Sequence, residues 1–183
     1  FASVVRHIVG QQISSKAQAT VWARLEDRLS VVTPASVYAA SAEELQSLGM
    51  SLRKAEYIKD FASKVVSGEF ALQAVEQLSD EEAIAALSSL KGIGRWTAEM
   101  ILLFCLQRPD ILSFDDLAIQ RGLRMLYHHR KITRELFAKY KKRYSPYGST
   151  AALYLWAISG GAIEGMQDYA PAKKIVRKTK RSE

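Results

Sequence analysis

The 183-residue chain holds one cysteine, three histidines and four prolines. A lone Cys105 cannot form a disulfide within the chain, and it excludes an iron–sulfur cluster held by four thiolates. Cys105 lies in the apolar run Ile101–Leu106 with no histidine near it in sequence, so it reads as a small buried hydrophobe rather than a nucleophile. His7, His128 and His129 form no HExxH pattern, and a structural zinc site is not expected. No apolar run is long enough to span a bilayer, and no signal-peptide pattern opens the chain. The expected setting is therefore intracellular, with no membrane partner. The chain opens at Phe1, inside what already reads as a helix, as a fragment of a longer protein would. Strand alternation is also missing: no segment of five or more residues carries it convincingly.

What is abundant is positive charge and helical periodicity. Against 19 Asp+Glu stand 26 Lys+Arg, a net charge of +7. A basic surface suits a polyanionic partner without proving one. Hydrophobic residues make up 48%, enough for one ordinary domain or two small lobes. Apolar residues recur as Val5, Ile8, Val9, Ile13, Ala17, Val21 and Leu25, interrupted near Gly10–Ser15, where Ser14 or Ser15 can cap a second helix. Thr33-Pro34, Ser41 with Glu44, Ser51, Ser79 with Glu82, and Thr133 each read as a helix start. Helices are expected at Leu52–Ser67, Arg95–Leu106, Arg134–Tyr144 and Thr150–Ser159, with a turn at Ser145–Ser149. Either Asp115 or Asp116 can cap the helix running to Tyr127. The fold class is all-α with short connections.

The strongest local signal is Leu87-Ser88-Ser89-Leu90-Lys91-Gly92-Ile93-Gly94-Arg95-Trp96-Thr97-Ala98. One helix ends, two glycines bracket an isoleucine that can plug between helices, and a second helix begins. Its first amides have no partner within the helix and suit a phosphate. Taken alone, a GxG is also compatible with an ordinary helix hairpin. About twenty residues on comes Ser113-Phe114-Asp115-Asp116-Leu117-Ala118-Ile119-Gln120-Arg121, and upstream lies Ile8-Val9-Gly10-Gln11-Gln12-Ile13-Ser14-Ser15-Lys16.

These three segments, in this order, resemble the helix-hairpin-helix DNA glycosylases, and within them the bacterial 3-methyladenine DNA glycosylase II type. The resemblance runs from Phe1 to about Gly161. It implies two helical lobes around a DNA-binding cleft. One lobe is built from both chain ends, 1–32 and 128–183; the other is 33–127, with the hairpin 87–98. A basic tail, 168–183, lies largely outside the resemblance. The implied partner is damaged double-stranded DNA, met by a monomer in the cytoplasm of a bacterium.

The resemblance also implies roles. Asp116, five residues before Arg121, is the catalytic aspartate, with Asp115 beside it as an accessory or capping group. A carboxylate at the breaking bond stabilises positive charge on the sugar or orients water. Trp96 and Trp156 line the base pocket, where an aromatic face attracts a cationic methylated purine. Trp96 stands where backbone-cleaving members carry a Schiff-base lysine, which implies a monofunctional enzyme. Met100 stands where the best-known members carry tyrosine, leaving the damage spectrum open. Gln12 is the wedge that fills the stack after the base is flipped, and Gln11 faces inward. Lys91, Gly92, Gly94, Arg95 and Thr97 meet DNA. Carbonyls of Ser88, Leu90 and Ile93 are the expected ligands of a sodium or potassium ion; no cofactor is required. A glycosylase for another damaged or mismatched base, and a helix-hairpin-helix protein that binds DNA without chemistry, are the competing readings.

Overall fold

The computed structural model describes residues 1–171; the cationic run Lys173–Arg181 expected to extend the tail lies outside the described residues. All regular elements among them are helices. They are α1 (Ala2–Gly10), α2 (Ser15–Leu29), α3 (Pro34–Ala39), α4 (Ala42–Ser47), α5 (Leu52–Val66), a 3-10 turn at Leu72–Gln77, α6 (Asp80–Ser88), α7 (Arg95–Phe104), α8 (Leu117–Tyr127), α9 (Arg134–Tyr144) and α10 (Gly148–Ser159). The chain divides into two compact units at Ile111/Leu112.

Local chemistry sets most of the boundaries. Ser14, not Ser15, caps α2 by accepting the Ala17 amide at 3.2 Å. Reciprocal capping boxes open α3 (Thr33 with Ser36), α4 (Ser41 with Glu44) and α6 (Ser79 with Glu82). Each satisfies two amides that the helix itself leaves unpaired. Thr133 caps α9 through the Leu136 amide. Helix α10 begins two residues earlier than expected, at Gly148.

In the first unit α5 packs against α3, α4 and α1, α6 packs against α7, and α1 also meets α2 and α7. Ile8, Leu25, Leu45, Ile58, Phe61, Leu87, Ile101 and Leu102 are among the fully buried side chains of this core. The expected pairing of residues 1–32 with 128–183 differs from this partition: α1 spends its apolar face, Val4, Val5, Ile8 and Val9, inside the first unit. No local sequence signal marks the 3-10 turn at Leu72–Gln77. Arg108 holds it, with Nη2 donating to the carbonyls of Val75, Glu76 and Leu78 at 2.8–3.3 Å.

In the second unit α10 packs on α8 and α9 around Ile119, Leu123 and Leu155. Gly122 makes the α8–α10 contact close: a Cβ there would lie 2.4 Å from the Leu155 carbonyl oxygen. The segment after α10 is fastened rather than loose as far as it is described. Arg124 donates to both carboxylate oxygens of Asp168, at 2.7 and 2.6 Å, and Tyr169 lies against His128 with ring centroids 4.6 Å apart.

Candidate active site

In the first unit the hairpin is as the sequence suggested, with its support now visible. Helix α6 ends at Ser88, Gly94 is the N-cap of α7, and Ile93 in the turn that joins them is buried, as are Leu87 and Leu90. Gly92 has φ +80°, a left-handed conformation that costs any other residue energy. It also lies against Tyr57, whose ring carbon would be 2.1 Å from an added Cβ. Gly94 supplies no side chain to cap α7. A ligand acceptor can therefore take that place at the positive end of the helix.

The upstream turn is tied to this hairpin. Gln11 Nε2 donates to the Gly92 carbonyl at 2.8 Å, which is the inward-facing role expected of it. Lys54 Nζ donates to the carbonyls of Val9 and Gln11 at 2.8 and 2.6 Å. Burial pushes the Lys54 ammonium below its ordinary pKa. Gln12 is exposed and left-handed, with φ +58°. A non-glycine residue held there costs on the order of 1 kcal/mol, and such residues cluster at functional positions. A cavity of about 230 Å³ opens beside it, lined by Val9, Gln11, Ile13, Met50 and Lys54 among others.

The hairpin cations are engaged. Lys91 Nζ lies 2.8 Å from Asp60 Oδ1, and that hydrogen bond raises the Lys91 pKa. Arg95 pairs with both oxygens of Glu81 at 2.9 Å and with Glu99 at 3.2 Å. Thr97 is buried, so its hydroxyl is not presented at the surface. Trp96 is 44% exposed, whereas Met100, one turn further along α7, is 4% exposed. Residues four apart share a helix face but differ by about 40° in direction, and here that separates a surface indole from a core thioether.

The donors expected to hold a monovalent cation are the backbone carbonyls of Ser88, Leu90 and Ile93, at the end of α6 and in the turn that follows it. Ser88 Oγ is buried with no hydrogen-bond partner among the described residues, in the same turn as the carbonyls of Leu90 and Ile93. The Leu90 carbonyl accepts the Ile93 amide at 3.1 Å and has a second lone pair to offer. Among the described residues there is no His/Cys/Asp/Glu cluster able to hold a metal ion.

Cys105 has a neighbour that the sequence hid. His7 Nδ1 is 3.6 Å from its Sγ, but the same nitrogen is 2.9 Å from the Ser3 carbonyl. A carbonyl only accepts, so Nδ1 carries a proton and cannot take one from the thiol. Burial pushes the thiol pKa up as well. The pair is not an activated nucleophile.

In the second unit Asp116, not Asp115, caps α8, so the capping role expected of Asp115 falls to its neighbour. Asp116 is the N-cap of α8; its Oδ1 accepts the Ala118 and Ile119 amides, both at 2.9 Å, and the residue is 6% exposed. Asp115 points outward and lies 3.6 Å from Arg134 Nη2. Two amides at the positive end of a helix therefore fix one carboxylate, while its neighbour meets solvent and a cation. Arg121 lies 3.9 Å from Asp168 and so takes part in that structural ion pair. Trp156 lies in α10 and is half-buried. Trp96, Met100 and the hairpin thus belong to one unit, and Asp115, Asp116 and Trp156 to the other.

Comparison with known proteins identifies the family. Residues 5–146 match the HhH-GPD superfamily of base excision DNA repair proteins. The chain is 34% identical over 164 residues to DNA-3-methyladenine glycosylase 1 of Schizosaccharomyces pombe, covering 87% of this chain and 72% of that protein. Identity to DNA-3-methyladenine glycosylase 2 of Escherichia coli is 28% over 171 residues, 87% of this chain and 58% of that one. Among solved structures, a DNA-3-methyladenine glycosidase from Bacillus halodurans superposes with a TM-score of 0.82 at 36% identity, covering 92% of this chain and 79% of that one. The S. pombe 3-methyladenine DNA glycosylase in complex with abasic DNA superposes at 0.71 and 34% identity, covering 85% and 78%. Family match, identity and fold agree: this chain belongs to the HhH-GPD superfamily of base excision DNA repair proteins.

Proposed function

We propose that the chain is a monofunctional DNA glycosylase that flips alkylated purines, such as 3-methyladenine and 7-methylguanine, out of duplex DNA and hydrolyses their N-glycosidic bond. The observation that carries the reading is Asp116: a buried carboxylate held by two backbone amides at the N-terminus of α8. Its orientation is fixed before substrate arrives, as electrostatic stabilisation of a developing positive charge requires. Relatives named as 3-methyladenine glycosylases support the substrate class.

A methylated purine is already cationic and leaves readily, so a strong acid at the base is not needed. One carboxylate suffices to stabilise the sugar cation and guide water. Trp96 in the first unit and Trp156 in the second each offer an aromatic face of the kind that favours a charged ring over a neutral one. The helix start at Gly94 holds a phosphate. A sodium or potassium ion, if held by Ser88, Leu90 and Ile93, would add positive charge facing that phosphate. Gln12 fills the gap left in the stack. Trp96 offers no amine, and Lys91, with its pKa raised by Asp60, is a protonated and poor nucleophile. A DNA-binding protein without chemistry would need Asp116 only as the N-cap of α8, a role that asparagine or serine fills about as well.

The test is incubation with methylated duplex DNA, with released bases identified by chromatography and the strand sized afterwards. Release of 3-methyladenine or 7-methylguanine from an unbroken strand is expected. Intact bases would reject the enzyme reading, and a protein–DNA adduct trapped by borohydride would reject the monofunctional one.

A further inference from the structure

The carboxylate of Asp116 is only as well placed as the loop that delivers it. That loop, Ser113–Asp115, has no regular secondary structure, yet three side chains grip it. Gln120, in the first turn of α8, reaches back and donates Nε2–H to the Phe114 carbonyl at 2.7 Å. Phe137 of α9 meets the Phe114 ring edge-on, with centroids 5.3 Å apart. Arg134, the first residue of α9, lays its guanidinium over the Phe114 ring at 4.3 Å and reaches Asp115 at 3.6 Å.

These contacts bear on the residues immediately before the cap. The backbone of Phe114 and Asp115 sets where the Asp116 N-cap begins, and Asp116 Oδ1 is committed to the Ala118 and Ile119 amides. An N-cap residue has a non-helical backbone, here φ −82°, ψ 110°. The helix therefore does not dictate its approach; the loop does. Arg134 contributes in two ways, because its planar guanidinium both covers an aromatic face and carries charge to a carboxylate. It is 73% exposed in its side chain, so its contribution to global stability is small, and its effect is confined to the loop.

We propose that Arg134 and Gln120 are positioning residues for the reaction: they clamp Phe114 and Asp115 so that the Asp116 carboxylate enters α8 in one orientation. Neither is assigned contact with the reacting atoms. The proposal rests on the reading of Asp116 as the catalytic group, and its test separates the two.

The variants are Arg134→Met, which keeps an apolar stem over Phe114 but no charge, Arg134→Lys, which keeps charge without the planar face, and Gln120→Met. Two readouts are taken on the same proteins. The first needs no activity: hydrogen exchange at the Ala118 and Ile119 amides, whose acceptor is Asp116. Exchange there should quicken about tenfold in Gln120→Met and Arg134→Met, while amides deeper in α8, at Leu123 and Met125, keep wild-type protection. The second is single-turnover base release at saturating enzyme. The rate should fall about fivefold to tenfold, the consequence of a misplaced electrostatic group. Affinity for undamaged duplex should stay constant, and Arg134→Lys should recover part of the lost rate. Unchanged exchange at Ala118 and Ile119 would overturn the clamp whatever the activity. Altered exchange with a full excision rate would overturn the positioning role. A shift in duplex affinity alone would make Arg134 a phosphate contact instead. If the wild-type protein releases no base while exchange responds as described, the failure lies with the glycosylase reading, and the clamp on Asp116 stands.

Discussion

The side-chain amide of Gln11 donates to the carbonyl oxygen of Gly92 at 2.8 Å, fastening together two turns that lie 81 residues apart in sequence. One turn carries Gln12, exposed and left-handed; the other leads into α7, which Gly94 caps. Replacing Gln11 with Leu deletes the donor at a part-buried carbonyl. A loss of about 1–2 kcal/mol in urea unfolding is expected. Duplex affinity should fall along with it, because the turn and the hairpin are no longer held in register. Unchanged stability and unchanged affinity together would mean that the bond is incidental.

The two hairpin glycines should respond differently to alanine. At Gly92 a methyl group meets the Tyr57 ring at 2.1 Å and must accept φ +80°. Destabilisation of more than about 1 kcal/mol is expected. At Gly94 the backbone is extended, φ −88°, ψ 172°, and no atom lies within 4 Å of the new Cβ. Stability should stay within about 1 kcal/mol of wild type. The methyl group would stand at the helix start where a phosphate is proposed to dock, so duplex affinity is the quantity that should drop. A Gly94→Ala protein binding duplex as well as wild type would remove that docking point.

Asp116→Asn separates folding from chemistry unusually well. Asparagine caps helices about as well as aspartate, so the amides of Ala118 and Ile119 keep an acceptor. Urea unfolding should shift by no more than about 0.5 kcal/mol. The negative charge is lost, and single-turnover excision should fall ~10²–10³-fold. Asp115→Asn, at a solvent-facing carboxylate beside Arg134, should cost much less. Equal losses in the two variants would argue that the pair acts as one unit.

Asp168 supplies a pH test. Its hydrogen bonds to Arg124 hold its pKa below the ordinary 3.8 of an aspartate. A carboxylate with a depressed folded-state pKa stabilises the fold above the unfolded value, and the contribution is lost as pH falls through the folded value. Asp168→Asn should therefore cost about 1–2 kcal/mol near neutrality. The difference from wild type should persist down to about pH 5 and shrink below about pH 4. A difference that did not change over that range would show that packing, not charge, ties this segment to α8.

How much could be read beforehand follows from how local each feature is. The caps at Ser14, Thr33, Ser41, Ser79 and Thr133 were legible, because a cap is a contact between residues three apart. So was the hairpin, and so was Asp116, whose amide partners lie two and three residues on. Contacts between distant segments were not. Nothing near Arg108 in sequence announces that its guanidinium will gather three carbonyls 30 or more residues away. Nothing near Cys105 announces His7. Nor does helical spacing say that Met100, one turn from the exposed Trp96, is buried in the core.

Gly122 carries a consequence for how such a protein can change. Its missing side chain lets the backbone of α8 rest on the backbone of α10, with the Leu155 carbonyl where a Cβ would be. Two helices that touch main chain to main chain cannot slide by small steps, since no side chain lies between them to yield. Asp116 is the N-cap of one, and Trp156 follows the contact point on the other. The spacing between carboxylate and indole is thereby written into the backbone. Re-tilting α8 against α10 would require giving up that glycine contact, so the place of the indole relative to the carboxylate changes more readily by exchange of side chains than by movement of the helices.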